Sequence, residues 1–571
     1  MKFKLLLAFC ILQFSNYVFS ADKNNPTKKL VVGPRINKAE VNIDLKFNSE
    51  KLVYTARKDE ELFDVDIDRE SLNPISNPRF IKQKKKNASG FVVDGSKFKY
   101  LEKISTAINE IYFFFVYEDK DKTYSLYYQM ADKNGSPNAK PVKIGKRKDS
   151  EDAYSDSDYR NGSFSFGLNR SKSLVYVLNQ ASHKKINKKE KEYQPGEVVI
   201  TYYDSKDMKE LGSGTYDLSI SKFGASAIFG DDGMVYTLVK NLYKEEIEIV
   251  NKKGKTNKEV KERYIYKVVA INLSKPENSP VEKTMVLKDK RVENIKIQIE
   301  ENGSINCAGT KVDLDENNNS GKMTGFFTCS LNTNNLEISN FYEYNFEEGI
   351  NSCLILIENT EAKYKIIGIE KMDNGSTSLL FEESGSYLVT GTNSKGYSYT
   401  RTYYQHGNLI VCNIGTNHKI NWVSNLHKRE IKNGSDFTSF YYKKFGNQLK
   451  FVFNDSKYNY DKTNLAYKTN LKSREVSEVE GLERIAIASI DEFGNCNRKL
   501  VENEKIPYYG YLETSAWSET NNEFYFIVCS KYNALYDPWV FCLIPPIGIT
   551  SLIMDWQGKN QYYRVAKIKL D

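Results

Sequence analysis

Four histidines supply all the imidazole in this chain of 571 residues: His183, His406, His418 and His427. A hydrolytic triad or a His-based zinc site needs at least one imidazole beside a nucleophile or other ligands. His183 lies in a basic run, and the other three fall within residues 405–428, in stretches that read as turns. His418 and His427 flank Trp422 across a short run, but no HExxH, GxSxG or CxxC accompanies them. They read as surface or turn histidines, so no catalytic residue and no metal ligand is assigned.

Acidic loops come next. Asp156-Ser157-Asp158-Tyr159-Arg160-Asn161-Gly162 and Asp313-Leu314-Asp315-Glu316-Asn317 both begin like oxygen-rich calcium loops. Arg160 stands where an acceptor is needed, and Asn318 and Thr324 stand where a sharp-turn Gly and a bidentate Glu belong. Both read as solvated loops. No GxGxxG or GxxxxGK[ST] is present, and no cofactor site is read. The formal charge of +8 is spread over many loops without a basic stripe, which argues against nucleic acid as a partner. Paired carboxylates for glycoside hydrolysis would have to be chosen among 74 acidic residues, and nothing singles out a pair.

The most unusual segment is Trp539 to Met554, sixteen mostly apolar residues between Asp537 and Asp555. Pro545, Pro546 and Gly548 interrupt it, so it falls short of the roughly 20 unbroken residues of a membrane-spanning helix. A buried hairpin in the last structural unit is one reading. The other is an exposed contact loop, through Trp539, Phe541, Leu543, Ile544, Ile547 and Ile549, for a partner or a membrane surface.

The N-terminus and the cysteines speak to compartment. Lys2 and Lys4 precede the apolar run Leu5 to Phe14, and Val18-Phe19-Ser20 precedes Ala21. That is the layout of a signal peptide cleaved after Ser20. Cys10 lies within it; the remaining cysteines are Cys307, Cys329, Cys353, Cys412, Cys496, Cys529 and Cys542. An odd number without close pairs reads as small core residues on strands, with Cys307 and Cys329 on neighbouring strands the one pairing to consider.

The elements that must position any site are strands. Aromatic residues make up 13% of the chain, with 40 Tyr and 30 Phe, types that suit a pleated, half-buried surface. They come in short runs: Glu110 to Tyr117, Tyr124 to Met130, Ser173 to Leu178, Val198 to Tyr203, Met234 to Val239, Gly325 to Leu331, Asn408 to Ile414, Gln448 to Asn454, Arg484 to Ile490 and Glu523 to Cys529. Each run is roughly 5–10 residues, right for a strand and short for a helix. Asp-Lys-Asn-Gly (132–135) and Asp-Asp-Gly (231–233) provide residues that tolerate positive φ in tight turns. One such unit cannot bury both its faces, but repetition about every 45–75 residues lets neighbours stack and close radially. The expected fold is therefore all-β: a β-propeller of antiparallel sheets with seven or eight blades. The organisation expected is a signal peptide over 1–20, a flexible lead-in over 21–44, and the propeller over 45–571 with its apolar insertion at 539–554. Leu52 to Ile67 is expected to lend an outer strand to the last unit. The charged stretches Lys82 to Lys86, His183 to Glu192 and Lys244 to Glu262 are expected to be solvated hairpin tips.

Tyr127 to Ile144, Asp491 to Leu500 and the late series Leu379 to Glu383, Tyr403-Tyr404, Asn408 to Val411 and Ile420-Asn421-Trp422 carry a resemblance. Together they resemble a family of large uncharacterised secreted proteins of Bacteroidota, read as propeller-like, over most of residues 45–530. The resemblance implies export beyond the inner membrane, to the periplasm, the outer membrane or the exterior. It supplies no catalytic or ligand residues. The functional expectation is a non-enzymatic binding or scaffold protein with a protein or glycan partner at the cell envelope and peripheral membrane contact. A carbohydrate-active enzyme or glycan-binding protein using aromatics in the Tyr397 to Tyr404 stretch or the Tyr508-Tyr509 turn is the alternative.

Overall fold

A computed structural model gives the structure of the protein. It describes residues 30–36, 40–48, 51–58, 61–72, 79–80, 98–118, 123–132, 140–148, 163–180, 184–187, 192–194, 197–217, 227–250, 256–285, 287, 290–300, 304–314, 320–346, 363–392, 397–433, 440–461, 467–468, 476–477, 483–501, 509–518, 522–531 and 561–570. The signal peptide expected over 1–20 lies outside them, as do Lys82 to Lys86 and the 156–162 loop. Among these residues no helix is long and apolar enough to cross a membrane.

The described residues form eight sheets in succession, each built on a four-stranded antiparallel meander; the sixth is widened by Glu430–Asn433 and Val476–Ser477, and Lys184–Asn187 pairs with Glu192–Gln194 in a separate two-stranded sheet. The first comprises Glu40–Asn48, Lys51–Lys58, Glu61–Ile67 and Arg79–Phe80; the second, Phe98–Ser105, Glu110–Glu118, Thr123–Ala131 and Val142–Lys148. Sheet three comprises Ser163–Leu168, Leu174–Gln180, Glu197–Asp204 and Glu210–Asp217; sheet four, Ile228–Phe229, Met234–Val250, Thr256–Asn272 and Val281–Met285; sheet five, Lys290–Ile299, Ile305–Leu314, Ser320–Leu331 and Ile338–Asn345. Sheet six comprises Lys363–Lys371, Thr377–Thr392, Ser398–Ile414 and Ile420–Leu426; sheet seven, Phe440–Phe445, Gln448–Ser456, Glu483–Ile490 and Cys496–Leu500. Tyr509–Ser518, Glu523–Lys531 and Gln561–Lys569 make three strands of sheet eight. Its fourth is Val31–Ile36, from the other end of the chain, paired with Gln561–Lys569.

That pairing joins the two ends of the chain and is how the propeller holds itself closed. It also corrects the expected organisation. The span 21–44 contains a strand of the last sheet and the start of the first, while Leu52 to Ile67 stays within its own sheet as two strands. The physical reason is burial: Leu30 is 5% exposed and packs among Phe524, Phe526, Val528 and Ile568, giving the short strand an apolar anchor.

Cores lie between neighbouring sheets. Phe113 and Leu126 pack with Val175 and Tyr203, Tyr176 and Ile200 with Val235 and Val269, and Phe326 with Phe381 and Ile410. The middle strands are thus covered on both faces, which is why they read as continuous apolar runs instead of alternating ones: Phe524 to Val528 are all buried in sequence. Neighbouring sheets approach through their first strands, Glu40–Asn48 against Tyr509–Ser518 and Lys290–Ile299 against Lys363–Lys371, as strands lining a common axis must.

Candidate functional site

A four-stranded meander has two edges. One carries the first-to-second and third-to-fourth connections; the other carries the second-to-third connections and the links to the next sheet. In this protein the two edges differ. At the first, most connections are tight turns, such as 169–173, 230–233, 332–337, 372–376, 415–419 and 491–495. Gly375 (φ +84°) and Gly494 (φ +84°) hold the left-handed positions of two of them, and Asp491 Oδ1 accepts the N–H groups of Phe493 and Asn495, each at 2.9 Å.

Side chains of these turns and of adjoining strands also bond to the turns of neighbouring sheets. Asn109 Nδ2 donates to the Lys206 carbonyl (2.9 Å), Ser171 Oγ to Asp231 (2.9 Å), Tyr344 Oη to the His418 carbonyl (3.0 Å) and Trp422 Nε1 to the Glu492 carbonyl (2.7 Å). From sheet one, Arg69 reaches Ser518 (2.8 Å), and its carbonyl accepts from Lys567 Nζ (2.7 Å). This face spends its polar groups on holding neighbouring sheets together.

The opposite face carries the long connections: 81–97, 149–162, 181–196, 346–362, 427–439, 457–482 and 532–560. Trp539, Phe541, Leu543, Ile544, Ile547 and Ile549 lie outside the described residues; in the sequence they fall between the second and third strands of sheet eight. Two hairpins also project from it, Met234–Val250 with Thr256–Asn272 and Thr377–Thr392 with Ser398–Ile414.

The second hairpin is the best-defined feature of this face. Its strands are buried at the root, through Leu379 to Glu383 and Asn408 to Ile414, and exposed beyond Ser386. In the exposed part Tyr387 lies opposite Tyr403, Val389 opposite Arg401 and Gly391 opposite Tyr399. Because strand side chains alternate, these six share one ribbon face, and Leu388, Thr390, Thr400 and Thr402 share the other. Tyr387 and Tyr403 stack at 5.5 Å with planes inclined by 15°. The Arg401 guanidinium lies 5.0 Å from the centre of the Tyr399 ring. A Cβ on Gly391 would come within 2.8 Å of that ring, so glycine lets the tyrosine lie flat across the ribbon. Tyr397 is 70% and Tyr399 40% exposed.

A buried polar cluster fixes the ribbon's root. The pairing slips by one residue between Glu382 and Ser384, a bulge that turns Glu383 inward against Gly407. Glu383 Oε2 accepts from the Asn408 backbone (3.1 Å) and side-chain amide (2.8 Å), and Asn408 Oδ1 lies 3.3 Å from His427 Nδ1. Burial raises the pKa of Glu383, opposed by those hydrogen bonds and by Lys428 and Arg429. Burial and the nearby Arg498 lower that of His427. Glu382 Oε1 holds His406 Nδ1 at 3.0 Å and the fully buried Lys428 Nζ at 3.4 Å. One layer further, in sheet seven, Asp455 pairs with Arg498, and the Tyr460 hydroxyl donates to Asp455 while accepting from Arg498 Nε (2.9 Å). Arg498 also donates to the His427 carbonyl and lies 3.7 Å from the centre of the Tyr467 ring.

The histidine expectations therefore need correction. His406 is a strand residue paired with an acid, and His427 is part-buried in the cluster, because the root of the ribbon packs against sheet seven. His418 does sit in a turn, at φ +59°, with its ring stacked 3.9 Å from that of Tyr342. His183 lies outside the described residues. Among the described residues no group of three His, Cys, Asp or Glu is arranged to hold a metal ion. Sequence reading missed Glu382, Glu383, Asp455 and Arg498. The available signals were two acids ending an apolar run (Leu379 to Glu383) and a stretch from Ser384 to Arg429 containing no Asp or Glu.

No protein-family model and no curated protein matches the chain. Among solved structures it is similar to the β-propeller domain of the Trilobed protease from Pyrococcus furiosus, at 10% identity over 85% of this chain and 98% of that one, with a TM-score of 0.27. It is also similar to a PL25 ulvan lyase bound to -[GlcA(1-4)Rha3S]- (11% identity, 76% and 89% covered, TM-score 0.33) and to extracellular domains 1–2 of Drosophila Semaphorin 1b (8%, 88% and 86%, TM-score 0.29). The strand pairing and inter-sheet packing of the chain itself make it an all-β propeller.

Proposed function

We propose that this is an exported, envelope-associated binding protein in which the propeller is a rigid stand and the insertion-bearing face makes the contact. The contrast between the two faces carries this reading. The turn face bonds to itself, whereas the other offers an exposed aromatic ribbon on a buried, ion-paired root. Binding residues on loops and hairpins held by a rigid scaffold are the common arrangement. Export is supported by the signal-like residues 1–20 and by the resemblance to secreted proteins of Bacteroidota. The partner is a protein or a glycan; the apolar segment around Trp539 and Phe541 adds peripheral membrane contact, and nucleic acid is not a partner.

The test replaces residues 387–403 by Asn-Gly, which joins the paired residues Ser386 and Tyr404 through a two-residue turn. Both forms are applied to envelope extracts and a glycan array. Loss of capture by the shortened form, with an unchanged melting curve, supports the reading; equal capture by both forms rejects it. The second reading, a carbohydrate-active enzyme, draws on the exposure of Tyr397 and Tyr399. Turnover on a chromogenic glycoside panel that is lost with one carboxylate substitution would favour it.

A further inference from the structure

The ribbon's charge and shape specify more than a contact. Residues 384–429 contain Lys395, Arg401, Lys419, Lys428 and Arg429 but no Asp or Glu. With 74 acids in 571 residues, about six would be expected in a stretch of that length. Lys428 is consumed in the buried root by Glu382. Arg401 is different: it is exposed, and among the described residues it has no acidic partner.

Successive same-face rungs of a strand ribbon lie roughly 7 Å apart. The Tyr387/Tyr403 pair, the Val389/Arg401 rung and the Gly391/Tyr399 rung therefore span about 13 Å along one face. Flat rings at both ends suit the C–H faces of pyranose rings. The guanidinium between them is a planar fork whose geometry matches a carboxylate. On the opposite face the two rungs between these carry only Leu388, Thr390, Thr400 and Thr402, and Tyr404 follows one rung nearer the root.

We propose that the Tyr387, Tyr399, Arg401 and Tyr403 face binds a linear uronic-acid glycan, with sugar rings stacked on the tyrosines and a carboxylate paired with Arg401. This inference rests on the insertion-bearing face being the binding face, and names its ligand class.

Calorimetric titration of the protein with alginate oligomers, neutral dextran, dextran sulfate and oligothymidylate tests it. Alginate oligomers should bind, dextran should not, and affinity should fall with added salt. R401Q and Y399A should each weaken alginate binding at least tenfold, R401K should retain part of it, and T390A on the opposite face should leave it unchanged. All three positions are exposed, so melting curves should not move and folding does not confound the result. Absence of alginate binding overturns the proposal, as does binding unaffected by R401Q and Y399A. Preference for dextran sulfate or oligothymidylate overturns it equally. The 387–403 replacement separates the two levels: if alginate fails but the shortened form still loses envelope capture, only the ligand class falls. If capture persists too, the binding face falls with it.

Discussion

Asp455 and Arg498 form a buried ion pair bridged by the hydroxyl of Tyr460, at the boundary between sheets six and seven. The guanidinium also donates to the His427 carbonyl, so it ties sheet seven to the segment that follows the last strand of sheet six. Burial opposes the charge of Arg498, but Asp455 and Tyr460 hold its pKa above the ordinary range. A pair of this kind matters through its completeness. Removing one partner strands a charge where water cannot reach it.

Asp455→Ala should therefore lower stability by about 3–5 kcal/mol, the usual cost of breaking a buried pair. The joint replacement Asp455→Leu with Arg498→Met should cost less than Asp455→Ala alone, because no charge is left stranded. Denaturant titration of the three forms measures both.

Glu383 gives a pH signature. Its folded pKa lies above the ordinary 4.5, chiefly through burial, so between the two values the native protein binds a proton that the unfolded chain does not. Stability contributed by this group rises as pH falls through the raised value and levels off below 4.5. Oε1 is buried without a hydrogen-bond partner, while Oε2 takes both Asn408 donors. Glu383→Gln keeps an acceptor for Asn408 and removes the charge. It should raise stability at pH 7 by about 1 kcal/mol and flatten that part of the pH profile, as read by melting curves from pH 4 to 8.

Cys307 and Cys329 lie directly opposite each other on adjacent strands of sheet five, both buried and reduced. Hydrogen bonding with Cys329 and burial push the Cys307 thiol well above its ordinary pKa, and Cys329 is itself shielded by burial, so neither should react with a thiol reagent in the folded protein. On oxidation they should join to each other and leave buried Cys412 free, a result read by mapping alkylated and cross-linked peptides.

Truncation before residue 37 removes Leu30 and Val31–Ile36 and leaves Gln561–Lys569 as an open edge. Losing the Leu30 anchor alone should cost about 2–3 kcal/mol. The bare strand should also promote association. Unfolding curves and light scattering on the truncated chain measure the two effects.

Replacing 387–403 by Asn-Gly should, by contrast, leave the fold nearly as stable as before, within about 0.5 kcal/mol. Its residues are mostly exposed, and the buried contacts lie below Ser386. Denaturant midpoints compare the two forms.

Several strands are legible residue by residue. Glu110 to Tyr117 and Gln448 to Asn454 are strands because β-branched and aromatic residues there must be covered on both faces, and Asx and Gly residues mark the turns between such runs. Other assignments needed distant partners. Nothing in Val31 to Ile36 reveals that its edge partner lies more than 500 residues away. Asp455 and Arg498 look like any surface acid and base until the second and fourth strands of sheet seven bring them together. Composition and local pattern determined that this chain would be a succession of short antiparallel sheets, because hydrophobic periodicity and turn chemistry act over a few residues. Only tertiary packing decided which end closes the ring, which charges are buried together and which edge of the sheets is left to carry an aromatic ribbon, because those depend on contacts between segments far apart in the chain.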